Sequence, residues 1–168
     1  ATGASWQYST DGGSQWTTGT GTSFTLAAGT YAAGVVKIRQ TSLAGNVSGV
    51  ASNSSDITVD TQVTAPTLSL SIDTGSSTTD NITSNGLVTV AGLDIGSTWE
   101  YSTDGGSQWT QGTGSSFTLP AGNYAANHIQ VRQIDVAGNT SEIASNAAAV
   151  LIEASGTVAT PAQQLAQD

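Results

Sequence analysis

The chain of 168 residues contains no cysteine and no methionine. Without cysteine, no disulfide bond can stabilise the fold. Without methionine, few soft side chains are available to fill irregular gaps in a core. Stability must therefore come from packing or from bound ions.

Positive charge is also scarce. Lys37, Arg39 and Arg132 oppose 12 acidic residues, which gives a net charge of −9 at pH 7. Binding to nucleic acid or to an anionic membrane surface needs clustered basic residues. No apolar run approaches the roughly 18 residues of a membrane span, and no charged and then apolar signal segment opens the chain. We therefore expect a soluble fragment with no nucleic-acid partner and no membrane contact.

What the chain does contain is an internal repeat. The segment ASWQYSTDGGSQWTTGTGTSFTLAAGTYAAGVVKIRQ, which begins at Ala4, returns without a gap as STWEYSTDGGSQWTQGTGSSFTLPAGNYAANHIQVRQ, which begins at Ser97. The period from Trp6 to Trp99 is 93 residues. Solenoid repeats are only about 20 to 50 residues long, so this period indicates a whole small domain of about 100 residues. We predict a partial module at residues 1–61, a complete module at 62–155, and a tail or the start of a further linker at 156–168.

Short runs of β-branched and aromatic residues, together with 20 glycines, predict an all-β fold. Seven strands are predicted in the second copy, beginning near residues 68, 87, 98, 107, 116, 128 and 148. That number in about 90 residues is typical of an immunoglobulin-like β-sandwich. The predicted core consists of aromatic and aliphatic side chains of these strands: Trp99, Tyr101, Trp109, Phe117, Leu119, Tyr124, Ile129 and Val131.

The first copy is incomplete, because it lacks everything equivalent to residues 67–96. A sandwich without its first two strands exposes apolar faces and unpaired strand edges. Three alternatives remain open. A neighbouring molecule could cover the gap, the tail over residues 147–166 could cover it, or the partial module could stay exposed. The tail is a candidate because VATP at 158–161 loosely repeats the linker VTAP at 63–66.

The segments WEYSTDGGSQW, SSFTLPAGNYAA, VRQIDVAGN, DTGSSTTDNITSNG and ITVDTQVTAP resemble the tandem immunoglobulin-like modules of large biofilm-associated and RTX surface adhesins of Gram-negative bacteria. The resemblance extends to about Ala154. It implies a secreted protein held at the cell surface, in which many such modules form an extender that projects ligand-binding domains. It also implies that neighbouring modules of the same chain are the partners, and that calcium rigidifies the modules and their joints.

The acidic residues fit that implied role, since calcium takes six to eight oxygen ligands from carboxylates, carbonyls and water. When seven strands are followed up and down, the loop with Asp73, Asp80 and Asn81 falls at the same end as Asp104. We predict a first calcium site there. The opposite end gathers a second set of candidate ligands, which we predict to clamp the joint between modules: Asp56, Asp60, Asp94, Asp135 and Asn139.

The simpler alternative is that Asp and Asn only close turns. Asp104 is the weakest candidate, because the DGG hairpin alone explains it. Asp73 and Asp80 are stronger, because they bracket a loop longer than a simple turn requires. The first copy has Ser42 where the second has Asp135, so we expect the corresponding site in the first module to be weak or absent.

Catalysis is not expected. The single histidine, His128, lies in a predicted strand where the first copy has Val35, which indicates a surface residue. Glu100 and Asp104 could form a carboxylate pair for glycoside hydrolysis. However, the first copy has Gln7 in place of Glu100. We predict no catalytic residue and no small-molecule substrate.

Carbohydrate binding is the alternative function. Trp16 and Trp109 each follow a turn, and exposed aromatic rings can stack on sugars. Every tryptophan is present in both copies. Repeated aromatic residues at strand positions are more typical of core and edge packing.

Overall fold

The computed structural model describes residues 3–154 and residue 156. All regular structure in this part of the chain is β-strand, which confirms the predicted all-β class. Within the same residues, no helix is long and apolar enough to cross a membrane. The contacts divide the chain between Thr61 and Gln62 into two compact units, which we call unit 1 and unit 2. The tail, which the sequence offered as one possible cover for the first module, lies mostly outside the described residues.

Unit 1 is built from short strands. An antiparallel sheet has the order β2-β1-β4-β5, and β3 pairs with β6 in a separate antiparallel ribbon. The strands are β1 (Ser5–Ser9), β2 (Thr17–Thr18), β3 (Gly29–Tyr31), β4 (Lys37–Thr41), β5 (Ala51–Ser52) and β6 (Ile57–Val59).

Unit 2 contains more strands, arranged in three sheets with the orders β11-β10-β14-β15, β12-β9-β7 and β13-β16-β8. Its strands are β7 (Thr67–Leu70), β8 (Ile82–Thr83), β9 (Leu87–Ala91), β10 (Thr98–Ser102), β11 (Thr110–Gln111), β12 (Ser116–Thr118), β13 (Gly122–Tyr124), β14 (Gln130–Ile134), β15 (Ala144–Ser145) and β16 (Val150–Ile152).

Every strand of unit 1 recurs in unit 2, shifted by 93 residues and unchanged in length. Unit 2 adds β7, β8, β9 and β12. The residues of unit 1 that correspond to β12 surround Phe24 and do not form a strand. The reason is the missing partner: in unit 2, Phe117 of β12 pairs with Val88 of β9, and the described part of unit 1 has no strand equivalent to β9.

The core of unit 2 is one cluster of buried side chains shared by several sheets, an arrangement consistent with a β-sandwich. Its buried members come from all three sheets: Val88, Val90, Trp99, Phe117, Leu119, Ile129, Val131, Val150 and Ile152. The side chains of Tyr101 and Tyr124 are partly buried and pack against this cluster. Burial of such apolar side chains stabilises the fold by roughly 1.5–3 kcal/mol each.

Trp109 does not belong to this core, so that part of the predicted core is wrong. The Arg132 guanidinium lies over the Trp109 ring, 4.0 Å from its centroid, and is paired to the Glu100 carboxylate at 2.7 Å. Strand alternation explains the position. Glu100 and Arg132 point away from the core on strands whose neighbours Trp99 and Val131 point into it.

The predicted polar loop at residues 73–86 is also more ordered than expected, because it contains β8, which pairs in parallel with β16. The buried side chain of Thr83 holds the loop. Its hydroxyl donates to the Ile72 carbonyl at 3.2 Å and accepts the backbone N–H groups of Thr74 and Asn85 at 3.2 and 3.0 Å. The segment of unit 2 that precedes β10 therefore contains three strands, β7, β8 and β9, where the sequence predicted two.

Candidate functional site

Asp104 closes the hairpin between β10 and β11. Its Oδ1 accepts the Ser102 hydroxyl at 2.7 Å and the Gln108 N–H at 3.0 Å. Both hydrogen bonds lower the pKa of Asp104, and the bond from the Gln108 N–H has the larger effect. Gly105 and Gly106 follow with φ of 74° and 90°, a conformation that glycine adopts without strain. Asp11 makes the same bonds in unit 1, to Ser9 and Gln15. The hairpin accounts for the carboxylate at both positions.

Asp135 closes the loop between β14 and β15. Its Oδ1 accepts the Asn139 N–H and its Oδ2 accepts the Asn139 side-chain amide, both at 2.8 Å. The amide contact is the main reason that the pKa of Asp135 is lowered. In unit 1, the Ser42 hydroxyl accepts the Asn46 N–H at 3.1 Å. A neutral hydroxyl thus closes the same loop, and the negative charge of Asp135 is not required for its geometry.

Three segments of unit 2 meet at the buried side chain of Gln133, which is 0% exposed. Its Nε2 donates to the carbonyls of Thr64 at 2.6 Å and Gly92 at 3.1 Å, and its Oε1 accepts the Asp94 N–H at 2.8 Å. The turn with Asp94 therefore lies at the same end of unit 2 as the Asp135 loop, which follows Gln133 directly. The linker VTAP at 63–66 is fixed at this end as well, through the Thr64 carbonyl.

Asp73 is held at the start of the long loop. Its Oδ2 accepts the Asn81 N–H at 2.9 Å. Asn81 has a φ of 61°, and its carbonyl accepts the Leu151 N–H at 2.9 Å. The exposed side chain of Asp80 accepts the Ile82 N–H at 3.1 Å in a local turn. The structure thus brings Asp73, Asp80 and Asn81 into one compact loop. Their grouping with Asp104 in a calcium site stays a prediction.

The second carboxylate oxygen of Asp73 is different. Oδ1 is buried and has no hydrogen-bond partner among the described residues. Leaving a buried charged oxygen without a partner costs roughly 1–3 kcal/mol or more. Buried polar atoms are nearly always satisfied in folded proteins. This atom is therefore the strongest local indication of a ligand in unit 2.

The carboxylates do not form a complete cage by themselves. Within the described ranges, no group of three or more His, Cys, Asp or Glu side chains is placed to hold a metal ion. A calcium site here would have to use carbonyl, amide and water oxygens as well. Asp60 is exposed just after β6, and Asp56 accepts the Ala33 N–H at 2.9 Å within unit 1. Their predicted grouping with Asp94, Asp135 and Asn139 stays a prediction.

The tryptophans considered for sugar binding are partly covered. Arg132 lies over Trp109, and Arg39 lies over Trp16 at the same distance of 4.0 Å. A sugar stacking on the covered face would have to displace the guanidinium. The single histidine, His128, was discussed above in connection with catalysis. It is exposed in a turn before β14 and not in a strand, so its predicted strand position is wrong.

The predicted core did not include the buried polar side chains that hold unit 2 together, namely Thr83, Ser102, Gln133 and Asn146. Asn146, for example, accepts the Ile129 N–H at 2.8 Å and donates to the carbonyls of Ala125 and Ala148. Their recurrence was the available signal, since Ser9, Gln40 and Asn53 occupy the equivalent positions of the first copy. For Thr83, which has no equivalent there, no such signal exists.

The chain matches no protein-family model and no curated protein.

Proposed function

We propose that this chain is a non-catalytic, calcium-stabilised spacer from a bacterial cell-surface adhesin. In this proposal, unit 2 is one immunoglobulin-like sandwich, and unit 1 is part of another in a tandem array. The array projects ligand-binding domains outside the cell for adhesion and biofilm formation. The 93-residue repeat supports an array, and the all-β architecture of both units is compatible with such modules.

The observation that carries the calcium proposal is the orphaned Oδ1 of Asp73. A divalent cation there would satisfy the buried oxygen. Asp80 and the carbonyl groups of the same loop could supply further oxygens. A cation that binds only the folded loop stabilises the fold by mass action, by about 2.7 kcal/mol at a concentration 100 times the dissociation constant.

The opposite end of unit 2 supports a second site of the same kind. Asp94 and Asp135 lie on segments adjacent to Gln133, and the charge of Asp135 exceeds what its loop requires. Carboxylates that lie at one end of a module repel one another, and a dication offsets that repulsion. Ser42 in unit 1 would lack this function.

The proposal predicts that Asp73→Asn abolishes much of the calcium-dependent gain in the melting temperature of unit 2. In chelator, the variant should melt no lower than the wild type, because a neutral amide replaces the buried charge and can still accept the Asn81 N–H. Thermal unfolding with about 10 mM calcium, well above the dissociation constants of about 0.1–1 mM typical of extracellular modules, measures both effects. Glu142→Gln, which removes one exposed charge elsewhere in unit 2, is the control. A full calcium response in Asp73→Asn contradicts the assignment.

Asp135→Ser tests the other end with a residue that the chain itself uses at Ser42. The loop should still close on the Asn139 N–H, and calcium affinity at this end should fall at least about tenfold because a charged ligand is lost. Calcium titration calorimetry measures the affinity, and amide NMR signals of residues 135–139 report loop closure. Unchanged titration curves would show that Asp135 only closes its turn.

A further inference from the structure

The outer face of the sheet β2-β1-β4-β5 in unit 1 carries two of the three basic residues of the chain. Lys37 and Arg39 are two residues apart on β4, so their side chains lie on the same side of the sheet. Ile38 between them corresponds to the buried core residue Val131 and lies on the other side. In unit 2 the outer face is also open, since the side chain of Arg132 is 29% exposed. An accessible outer face is therefore a property of both units.

The two basic side chains of unit 1 are held in place around one aromatic ring. The Arg39 guanidinium lies over the Trp16 ring, 4.0 Å from its centroid, and its Nε donates to Gln7 Oε1 at 3.0 Å. The stem of Lys37 lies beside the same ring, because a Cβ built at Gly13 would be 3.6 Å from both. We call Gln7, Trp16, Lys37 and Arg39 the basic face. Its side chains are positioned in advance, which reduces the entropy lost when a ligand binds.

The charges of the basic face are not neutralised. Within the described ranges, neither Lys37 nor Arg39 forms a salt bridge. The Lys37 ammonium uses one of its three N–H donors on the Gly12 carbonyl at 2.7 Å. Asp11 precedes Gly12, but its carboxylate accepts groups of its own hairpin. The Nε bond to Gln7 leaves both terminal nitrogens of Arg39 able to donate to a ligand.

Unit 2 builds the same face without net charge. The Nε and Nη2 groups of Arg132 both donate to Glu100 Oε2, at 2.9 and 2.7 Å. Gln130 stands where unit 1 has Lys37, and its Nε2 donates to the Asn127 carbonyl at 2.8 Å. One unit thus presents two free cations and the other presents a closed ion pair.

This contrast is concentrated on the basic face. Across the gapless repeat, residues 4–40 against 97–133, two positions differ in formal charge when histidine is counted as neutral. Both positions belong to this face: Gln7 against Glu100, and Lys37 against Gln130. Both differences make unit 1 more positive than unit 2. The rest of the chain is strongly acidic, but charges more than about 8 Å away are largely screened at physiological salt.

The chemistry of the basic face fits a sugar that carries a carboxylate. An arginine fork binds a carboxylate through two parallel hydrogen bonds, and a lysine adds a second charge. The amide nitrogen of Gln7 lies beside Arg39 and suits a sugar hydroxyl. An extended acidic peptide fits less well, because such peptides add to a sheet edge through main-chain bonds. Strands β1 and β4 are instead paired on both sides.

We propose that the basic face of unit 1 binds a uronic-acid residue of an acidic polysaccharide. The sugar carboxylate pairs with Arg39 and Lys37, and a neighbouring hydroxyl accepts the Gln7 amide. This function adds ligand binding to the spacer role and does not depend on calcium.

Amide NMR titration of the full chain with a galacturonic-acid tetrasaccharide tests the proposal. Chelator is present, so that no calcium ion can bridge the sugar to acidic loops. We expect saturable shifts at residues 5–9 and 37–41, none at 98–102 and 130–134, and weaker binding at high salt. Arg39→Gln should weaken binding at least about tenfold, through loss of a charge-assisted hydrogen bond.

The repeat supplies matched variants for the same titration. Gln7→Glu with Lys37→Gln gives unit 1 the residues of unit 2, and binding should fall at least about 100-fold. Glu100→Gln with Gln130→Lys makes the reverse exchange and should create saturable shifts at residues 130–134. Both pairs use residues that the chain already accommodates at the equivalent positions.

Other results would overturn the proposal. The absence of saturable shifts in unit 1 would show that the face binds no uronate. Equal binding of a neutral galactose tetrasaccharide, or undiminished binding by the first double variant, would mean that charge is not what is recognised. Equally tight binding of tetraglutamate would show that the face takes any carboxylate and does not select a sugar.

Discussion

Trp99→Ala is expected to destabilise unit 2 by about 4 kcal/mol, whereas Trp6→Ala is expected to destabilise unit 1 by only about 1.5 kcal/mol. The two rings have the same local contacts. The indole N–H donates to the carbonyl of Gly114 or Gly21 at 2.9 Å, and the ring packs on Gly112 or Gly19. They differ in whether a second sheet covers them, because among the described residues the strands β7 and β9 belong to unit 2 and have no counterpart in unit 1. The difference therefore measures what the covering sheet contributes.

Urea unfolding followed by the amide NMR signals of each unit gives the two free energies separately. Each variant serves as the control for the other, since the unit without the substitution should unfold as in the wild type. Equal losses in the two units would mean that the cover contributes little to burial of the ring.

Gln133→Ala is the second large expected effect, about 3 kcal/mol of lost stability in unit 2. The substitution leaves the Thr64 and Gly92 carbonyls and the Asp94 N–H without their partner, and it opens a cavity at a fully buried position. The matched control is Gln40→Ala, whose exposed side chain should change the stability of unit 1 by no more than about 0.5 kcal/mol.

The same urea experiment measures this pair, and hydrogen exchange at residues 92–97 reports whether the Asp94 turn loosens. We expect faster exchange there in Gln133→Ala and no change in Gln40→Ala. A loss below about 1 kcal/mol for Gln133→Ala would contradict the view that this amide joins the linker to the sandwich, because buried unsatisfied groups cost at least that much.

The sequence predicted the strands whose side chains alternate or whose turns contain glycine. Strands β9 and β10 begin where the sequence predicted, because Leu87 to Ala91 and Thr98 to Ser102 are short apolar or aromatic runs between turn residues. It did not predict β8, β13 or β15, which have two or three residues each; β8, for example, exists because β16 lies beside it. Strand pairing of this kind depends on distant residues and leaves no local pattern.

The candidate sites were predictable to a similar extent. Spacing placed Asp73 and Asp80 in one loop, and strand count placed Asp94 near the Asp135 loop. Sequence could not show that one oxygen of Asp73 is satisfied by Asn81 while the other is buried without a partner. It also assigned Trp109 to the core, since aromatic content alone does not reveal that Arg132 and Glu100 occupy the outer face with it.

The most direct test of the spacer proposal is calorimetric melting of the wild-type chain in about 10 mM calcium, in the same concentration of magnesium, and in chelator. If calcium binds the loops of unit 2, its melting temperature should rise by about 5–15 °C over chelator, from roughly 1–3 kcal/mol of binding free energy. Magnesium should give a smaller rise, because it demands near-ideal octahedral geometry and keeps its waters. Superimposable melting curves in all three conditions would contradict the account and leave the acids as turn residues and surface charge.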